Sequence, residues 1–336
     1  WAISSGTTSG EKYLPVTAAT IRNNKRGGFD SLAPYLAANG GGLFDGKLLF
    51  LGGSTALRQD GGIFTGDNTG IMSRHVPTCL RGLHAPDARI RAMPSWEEKV
   101  TAAAAQTATA DLRMLAGVPS WIILFGEAVL KHCQSTGRQV DTLAEVWPNL
   151  RLFVHGGVTF APYAERCRAL IGREITYTDT YSASEGGMLA VQDQVGEPGM
   201  LPLLDRSTFF EFVPAEELGK PDARRFACHE VETNVDYAIA LTTDSGIVSY
   251  LVGDIVRFTS REPLRMVFAG RSAQTLNGFG EHLSGGELER AIASAAAATE
   301  AIVSEFAVAV TYPTETQPMG GHRYLVEFHR EPSDQD

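Results

Sequence analysis

Short apolar segments that end in glycine or serine, with helical segments between them, constrain the fold of this chain more than any other feature. Lys47–Gly52, Leu150–Val154 and Ile175–Tyr177 are predicted as buried strands because each is brief, apolar and followed by turn-forming residues. Between the second and third, Ala161–Ile171 is predicted as a helix. Strand, turn, helix and strand in succession indicate an α/β fold with ligand-binding loops at the strand ends.

A longer helix is predicted from Ser95 to Ala116. Ser95 can cap its first turn, Glu98 follows three residues later, and Gly117 comes after the last turn. An apolar segment from Pro119 to Leu130 then forms either a helix or a strand. Further along the chain, Thr208–Val213 and Gly246–Phe258 alternate apolar and polar residues and are predicted as antiparallel strands.

The character of the sequence changes after Arg271. An alanine-rich helix is predicted at Gly286–Glu300, with strands near Ser304–Val310 and His322–Phe328. We therefore expect a large domain over residues 1–270, and a hinge with a partial small α+β domain over residues 271–336. Since the sequence opens abruptly with Trp1 and stops soon after the second of these strands, both ends are expected to be incomplete.

Composition excludes several classes of protein. The 336 residues are 43% hydrophobic and 20% charged, and no apolar run is long enough to span a bilayer. The formal net charge of -10 argues against a nucleic-acid partner, whose phosphates would be repelled. The four cysteines contain no C-x-x-C pair, which favours reduced thiols in a cytoplasmic protein. We expect neither a nucleic-acid nor a membrane partner.

The segment Ser4-Ser-Gly-Thr-Thr-Ser-Gly10 is the first candidate binding element. Its glycines allow sharp turns that expose backbone N–H groups, its hydroxyls add donors, and Lys12 adds a positive charge. Such a loop suits a polyphosphate. It is not a Walker loop, because G-x-x-x-x-G-K-[ST] is absent. A Ser/Gly-rich linker has a similar composition and stays open as an alternative.

Two further segments carry residues typical of a nucleotide site. Tyr181, Ser184 and Glu185 follow a predicted strand, where a ring can stack on a base, a hydroxyl can contact phosphate and a carboxylate can bind Mg²⁺. Asp254 follows Gly253 at a predicted strand break and could accept hydrogen bonds from ribose hydroxyls. Taken singly, each segment is better explained as an ordinary turn.

Together and in this order, the three segments resemble the signature motifs of the acyl-adenylate-forming superfamily. The sequence is most similar to the acyl-acid amido synthetase branch, the auxin-responsive Gretchen Hagen family. The segments that carry this resemblance are SSGTTSG-EKYLPVT at the start, Gly117–Trp121, Val146–Leu150 leading to His155-Gly-Gly157, YSASEG with Gln192-Asp193, Phe209–Phe212 and Tyr324–Phe328. The resemblance covers nearly the whole chain.

The resemblance implies a set of site residues. Ser4, Ser5, Gly6, Thr7 and Thr8 would form the phosphate loop, with Lys12 nearby. Gly156, Gly157 and Val158 would lie along the adenine, with Tyr181 stacked near it. Ser184 would contact phosphate, Glu185 would bind Mg²⁺, Asp254 would hold the ribose, and Arg271 would support ribose and phosphate at the hinge.

The resemblance also implies the reaction. ATP and Mg²⁺ would serve to adenylate a small carboxylic acid, and the acyl group would pass to an amine, in particular an amino acid. An acyl-CoA ligase that shares the first step is one alternative, and a catalytically weak nucleotide-binding regulatory protein is another. A Rossmann oxidoreductase is disfavoured because no G-x-G-x-x-G follows a first strand.

Some positions depart from the family pattern or have simpler explanations. The superfamily's late lysine has no counterpart before the sequence stops, and Glu281-His282 stands where the family commonly has Glu-Lys. The resemblance also implies that Gly278 and Gly280 would let the loop that contains them insert beside the acyl group. His155 could reach the acyl pocket, but the favoured interpretation is a strand-end histidine with local hydrogen bonds. Trp121 and Trp147 are interpreted as core aromatics.

Overall fold

The computed structural model describes residues 1–6, 10–194, 196–272, 285–311 and 321–333. The helices in this part of the chain are α1 (Ala18–Asp30), α2 (Ala33–Asn39), α3 (Asn68–Arg74), α4 (Ala88–Arg91), α5 (Trp96–Thr107), α6 (Pro119–Ser135), α7 (Leu143–Val146), α8 (Ala164–Ile171) and α9 (Gly285–Ala298). Short 3-10 turns occur at Gly41–Asp45, Thr78–Leu80, Ala161–Tyr163 and Ala215–Glu217.

The strands of the described residues lie in four sheets. In chain order they are β1 (Ala2–Gly6), β2 (Gly10–Leu14), β3 (Lys47–Phe50), β4 (Arg58–Asp60), β5 (Ile63–Asp67), β6 (His84–Ala85), β7 (Leu112–Gly117), β8 (Leu152–Gly156), β9 (Thr176–Ala183), β10 (Gly187–Val191), β11 (Leu201–Pro202), β12 (Thr208–Pro214), β13 (Asp236–Thr243), β14 (Tyr250–Arg261), β15 (Leu264–Arg271), β16 (Ile302–Thr311) and β17 (Gly321–Arg330).

A seven-stranded sheet of order β11-β10-β9-β8-β7-β3-β6 forms the centre of the molecule. The five adjacent strands β6, β3, β7, β8 and β9 pair in parallel, while β10 pairs antiparallel with both β9 and β11. One face packs against α5, α6 and α8 through a large apolar core, and the other face packs against α2. Parallel strands that are covered on both faces place their connecting loops at the carboxyl edge, where α/β proteins bind ligands.

The predicted buried strands are present with shifted ends. Leu48 and Leu49 of β3 are almost fully buried, and β8 begins two residues later than predicted and ends at Gly156. The helix predicted at Ala161–Ile171 appears as a 3-10 turn followed by α8. These shifts arise because the ends of a strand or helix depend on hydrogen bonds to neighbouring segments, which composition does not encode.

The helix predicted from Ser95 to Ala116 is wrong in its second half. Ser95 does cap α5, since its Oγ accepts a hydrogen bond from the Glu98 N–H at 3.3 Å. The helix ends at Thr107, however, and Leu112–Gly117 forms β7 in the middle of the parallel sheet. Leu112, Met114 and Leu115 become fully buried there, and this burial outweighs their helix propensity.

The loop predicted at Ser4–Gly10 is wrong for Ser4–Gly6 and Gly10, which lie in strands, while residues 7–9 lie outside the described residues. Strands β1 and β2 pair antiparallel, with Ser4 opposite Lys12 and Gly6 opposite Gly10, so that only residues 7–9 connect them. On its other side β1 pairs in parallel with β5, which completes a sheet of order β2-β1-β5-β4.

A third sheet carries the Gly253-Asp254 segment. Its order is β12-β13-β14-β15, and all of its strands are antiparallel. The predicted strand break at Gly253 is wrong, because both residues lie within β14. The strand continues through Gly253, but the pairing of β13 with β14 shifts register there. Gly253 has a φ of +94° at this point, a value that favours glycine.

The last described segments form a helix and a hairpin. Helix α9 packs against β15 and against the 3-10 turn Ala161–Tyr163, and β16 pairs with β17. The division into a large domain over residues 1–270 and a partial small domain over residues 271–336 stays a prediction. Among the described residues, no helix has both the length and the apolar character needed to cross a bilayer.

Candidate functional site

A cleft of about 550 Å³ opens at the carboxyl ends of β8 and β9 and reaches across to β14 and β15. Five of the predicted site residues line it: Gly157, Val158, Tyr181, Asp254 and Arg271. They come from four separate segments of the sequence. The cleft therefore brings the second and third candidate segments together with the His155-Gly-Gly157 segment.

Tyr181, Asp254 and Arg271 form a hydrogen-bonded cluster at one end of the cleft. The Tyr181 hydroxyl donates to Oδ2 of Asp254 at 2.8 Å, and Arg271 Nε lies 3.2 Å from Oδ1. The second contact follows from strand register, since Asp254 and Arg271 are direct partners across β14 and β15. The Arg271 side chain is 45% exposed, so it can still contact a ligand.

Burial controls the ionisation of this cluster. It raises the pKa of the Asp254 carboxyl, although the hydrogen bond from Tyr181 and the charge of Arg271 act in the opposite direction. Burial also raises the pKa of the Tyr181 phenol well above its usual value, and the Asp254 charge adds to that effect. Tyr181 thus remains a hydrogen-bond donor, and a partner with further donors would help to keep Asp254 ionised.

Glu185 and Lys12 lie beside this cluster. Glu185 is buried in the turn between β9 and β10, and burial raises the pKa of its carboxyl. The Lys12 charge lowers the pKa of both Glu185 and Asp254, which shows that the three side chains share one electrostatic environment. Lys12 Nζ also lies 5.7 Å from the centre of the Tyr250 ring. Ser184 is half-buried in the same turn as Glu185.

Gly156 and Gly157 are required by close packing at the end of β8. A Cβ on Gly156 would lie 2.4 Å from the Thr180 carbonyl oxygen, so the strands could not keep their register. Gly157 has a φ of +86°, and Val158 follows it into the cleft. Gly157 and Val158 therefore line the cleft directly after the segment of β8 that pairs with β9.

The other end of the cleft is aromatic, and its residues were not predicted as a binding site. His155 stacks on Phe160 with ring centres 4.0 Å apart, and Arg168 lies 5.8 Å from the Tyr177 ring. His155 Nδ1 is 3.3 Å from Asp179 Oδ1, yet it meets no hydrogen-bond geometry with any described residue. Within the described part of the chain, Nδ1 of His155 therefore lacks the local hydrogen bond expected for it.

These residues could have been found from one signal. Tyr177, Asp179 and Tyr181 alternate along β9, so their side chains share one face of the sheet. His155 is the register partner of Asp179. Alternation places them on the site face, but the pairing of β8 with β9 is long-range information that composition does not provide.

The remaining predicted positions are only partly described. Thr7 and Thr8 lie outside the described residues, and Ser4, Ser5 and Gly6 are described through their backbone in β1. Gly278, Gly280 and the Glu281-His282 pair also lie outside the described residues. Trp147 is fully buried, with its Nε1 donating to the Thr107 carbonyl at 2.8 Å, and Trp121 packs against the same core.

Solved structures with the same fold define the class of protein. The acyl acid amido synthetase AtGH3.15, in complex with 2,4-DB, matches with a TM-score of 0.75 and 18% identity over 100% of this chain and 67% of that chain. A 2-hydroxyisobutyryl-CoA ligase in the postadenylation state matches with a TM-score of 0.60 and 14% identity over 92% of this chain and 58% of that chain. The chain has the mixed α/β, multi-sheet fold of adenylate-forming ligases.

Family profiles make the assignment specific. Residues 70–175 match the GH3 family N-terminal domain and residues 201–271 match the GH3 family central domain, which together cover just over half of the chain. The chain belongs to the GH3 family. This family is the one indicated by the sequence motifs, so that prediction is confirmed.

Curated relatives are distant and longer. A jasmonoyl-L-amino acid synthetase, GH3.5 of Oryza sativa subsp. japonica, is 25% identical over 146 residues, which cover 39% of this chain and 25% of the relative. A probable indole-3-acetic acid-amido synthetase, GH3.12 of the same plant, is 25% identical over 155 residues with the same coverage of each chain. The matched part thus spans about a quarter of the length of these relatives.

Proposed function

We propose that this protein is an ATP-dependent acyl-acid amido synthetase. It adenylates a small carboxylic acid with release of pyrophosphate, and then transfers the acyl group to an amine, in particular an amino acid. The observation that carries the proposal is the buried Tyr181–Asp254 pair with the partly exposed Arg271 at one end of a nucleotide-sized cleft, with Lys12 and Glu185 beside it. Membership of the GH3 family supports the amide-forming outcome.

The residues at the two ends of the cleft have the chemistry needed to bind the parts of ATP. Asp254 can accept hydrogen bonds from ribose hydroxyls, and Arg271 can neutralise the adjacent phosphate. Gly157, which has no side chain, and the ring of Phe160 line the cleft where a planar base could lie. The hairpin of β1 and β2 would hold the outer phosphates with its backbone N–H groups, assisted by Lys12.

A magnesium ion fits Glu185 as a single protein ligand. The described residues contain no group of three or more His, Cys, Asp or Glu side chains that could enclose a metal ion. Mg²⁺ typically keeps several waters and is held by one or two carboxylates together with substrate phosphates, so one buried carboxylate is sufficient. When bound, Mg²⁺ would neutralise charge on the phosphates.

The chemistry follows from these assignments. An oxygen of the substrate carboxylate attacks the α-phosphorus of ATP, the bond to the bridging oxygen breaks, and pyrophosphate leaves. Lys12 and Arg271 reduce the repulsion between the two anions and stabilise the charge that develops on phosphate oxygens. The amine nitrogen then attacks the carbonyl carbon of the acyl-adenylate and loses its proton, and AMP leaves with the electron pair of the anhydride bond.

The test is carboxylate-dependent exchange of labelled pyrophosphate into ATP, with a panel of acids. Wild type is compared with Asp254→Asn and with Asp236→Asn. Asp236 is a matched control because it also pairs with an arginine of the same sheet, Arg257, at 2.7 Å. Exchange that needs an acid, persists in the control and is lost in Asp254→Asn supports the proposal. ATP binding without exchange for any acid favours a regulatory nucleotide-binding protein instead.

A CoA ligase is the second candidate, because the fold is shared with 2-hydroxyisobutyryl-CoA ligase. The two candidates differ only in the acceptor. With an acid that supports exchange, amino acids or CoA are added and the product is identified by mass spectrometry. Formation of an amide supports the synthetase, and formation of a thioester supports the ligase.

A further inference from the structure

Helix α1 contacts each of the three segments that carry Lys12, Glu185 and Asp254. The first contact is through the chain itself, because α1 begins four residues after β2, the strand that contains Lys12. A reciprocal capping box fixes this start, in which the Thr17 hydroxyl accepts from the Thr20 N–H at 3.2 Å and the Thr20 hydroxyl accepts from the Thr17 N–H at 3.3 Å. The hairpin therefore has a defined orientation relative to α1.

The second contact is made by the side chain of Asn24. Its Oδ1 accepts a hydrogen bond from the Met188 N–H at 3.0 Å, and its Nδ2 donates to the Thr20 carbonyl within α1 at 3.1 Å. Met188 lies three residues beyond Glu185, just after the turn that carries it. Asn24 thus joins a rigid helix to the exit of the Glu185 turn.

Close packing leaves little freedom at this contact. Gly187 has a φ of +76°, and a Cβ there would lie 2.5 Å from Asn24 Nδ2. A Cβ on Gly27, one turn further along α1, would lie 2.5 Å from the Met188 Cβ. Both glycines allow α1 to approach β10 at backbone distance, and the hydrogen bond from Met188 fixes the register of that approach.

The third contact reaches the strand that carries Asp254. Thr20 and Asn23 donate hydrogen bonds to the Asp244 carboxylate at 3.4 and 3.2 Å, and Asp244 lies in the turn between β13 and β14. These bonds are longer, and the Asn23 bond is exposed to solvent. Of the two asparagines, Asn24 is the one that acts on the Glu185 turn.

We propose that Asn24 is a positioning residue, which sets the distance between the Glu185 turn and the hairpin that carries Lys12. Asn24 is not among the residues that line the cleft. The effect is exerted through the Met188 N–H, so loss of the acceptor would let the turn move while the fold is kept. This role rests on the proposed function, since it concerns the same ATP site.

Three variants separate the hydrogen bond from packing. Asn24→Leu keeps the volume and removes the acceptor, Asn24→Asp keeps an acceptor for the Met188 N–H, and Asn23→Ala removes a neighbouring polar contact as a control. Leaving a part-buried donor unpaired typically corresponds to about a tenfold change in an equilibrium or rate. We expect Asn24→Leu to lower kcat of pyrophosphate exchange about tenfold and to raise the Mg²⁺ concentration needed for half-maximal activity. Asn24→Asp keeps the acceptor but loses the donor to the Thr20 carbonyl, so its kcat should fall between that of wild type and that of Asn24→Leu.

A second measurement does not depend on activity. Hydrogen exchange followed by mass spectrometry should show faster exchange for residues 184–188 in Asn24→Leu, while the protection of β7 and β8 stays unchanged. The Asn23→Ala variant should exchange like wild type in both regions. The proposal would be overturned if residues 184–188 showed equal hydrogen-exchange rates in wild type and Asn24→Leu. Equal losses of kcat in Asn24→Leu and Asn24→Asp would also overturn it. If wild type catalyses no exchange of pyrophosphate, the proposed function fails, while the hydrogen-exchange result still decides the role of Asn24.

Discussion

The Tyr181 hydroxyl donates a hydrogen bond of 2.8 Å to Oδ2 of Asp254, and the two residues are 73 positions apart in the sequence. The bond joins β9 of the central sheet to β14 of the antiparallel sheet, so it fixes the cleft that lies between the sheets. Arg271 contacts the other oxygen of the same carboxylate. A ligand held by Asp254 is consequently sensitive to both partners.

Replacement of Tyr181 by Phe should weaken ATP binding without loss of the fold. The ring is kept, but Asp254 Oδ2 loses its buried donor, which raises the pKa of Asp254 further and reduces its ability to accept from a ligand. We expect the dissociation constant for ATP, measured by calorimetry, to rise about tenfold. Tyr237→Phe is the control, because Tyr237 is also a buried tyrosine whose hydroxyl contacts a backbone N–H elsewhere. Equal effects of the two variants would contradict a specific role for the Tyr181 hydroxyl.

Glu185→Gln should abolish the Mg²⁺-dependent reaction and stabilise the protein. The wild-type carboxylate is disfavoured by burial, as the raised pKa shows, and the amide removes a buried charge while keeping the same shape. At neutral pH and without ligand, the free energy of unfolding should increase by about 1 kcal/mol. Chemical denaturation measures it, and a decrease would show that the ionised carboxylate is stabilised by its neighbours more than burial disfavours it.

The pH dependence of that stability difference has a definite sign. Because the folded-state pKa of Glu185 is raised, the folded protein binds more protons than the unfolded chain between the ordinary carboxyl range and the raised pKa. The contribution of Glu185 to stability is therefore fully present at low pH and is lost as the pH rises through this window. The advantage of Glu185→Gln over wild type should grow from acid to neutral pH and then stay constant, as measured by denaturation at a series of pH values.

The raised pKa of Glu185 also predicts where the rate of pyrophosphate exchange falls at acidic pH, which is the acid limb of the pH profile. A protonated Glu185 cannot bind Mg²⁺, so pyrophosphate exchange should fall with decreasing pH at a higher value than an ordinary glutamate would give. Higher Mg²⁺ concentrations should move this limb toward lower pH, because metal binding competes with the proton. A limb that does not respond to Mg²⁺ would assign the titration to a different group, of which Asp254 is the nearest candidate.

Much of the fold could be predicted because periodicity and turn residues are local signals. The strands at Lys47 and Leu150 and the helix before Ile171 needed only a few neighbouring residues to be recognised. The boundary between α5 and β7 was missed because alanine-rich sequence continues through Ala110, and β7 forms only when β3 and β8 lie on either side of it. Burial between two strands is a tertiary effect that the local pattern does not contain.

The candidate site was predictable to the extent that its residues lie in recognisable motifs. Tyr181, Asp254 and Arg271 stood out in the sequence, and the structure places them around one cleft. Asp179 and Phe160 did not stand out, because they reach the cleft only through the pairing of β8 with β9 and through a short 3-10 turn. The roles of all these residues stay predictions until the proposed reaction is measured.

Substitution of alanine at Gly156 and at Gly28 should change stability in opposite directions. A Cβ at Gly156 would lie 2.7 Å from the Thr180 hydroxyl and closer still to its carbonyl, so β8 and β9 must separate, at a cost of about 1–3 kcal/mol. At Gly28, inside α1, no atom lies within 4 Å of the new Cβ, and the better helix propensity of alanine should stabilise by about 0.5–1 kcal/mol. Thermal denaturation of both variants tests the pair, and destabilisation by Gly28→Ala would contradict the packing described for α1.

Arg166 connects the end of the described chain to the wall of the cleft. From α8 it donates to Glu127 of α6 at 2.6 Å and to the Ser304 hydroxyl of β16 at 2.9 Å, and its side chain is only 15% exposed. Helix α9 packs beside it on the 3-10 turn Ala161–Tyr163, which follows the Phe160 ring of the cleft. A loss of Arg166 should therefore loosen α9 and β16 before it affects the central sheet.

Arg166→Ala should raise the hydrogen-exchange rates of α9 and β16 about tenfold, because local opening no longer breaks two hydrogen bonds to a mostly buried guanidinium. Protection of β7 and β8 should not change. Glu165→Ala is the matched control, because its 3.9 Å contact with Arg330 is exposed and such pairs contribute about 0–1 kcal/mol. If the two variants behave alike, or if protection falls across the whole chain, α9 and β16 are held to the cleft wall by apolar packing and not by Arg166.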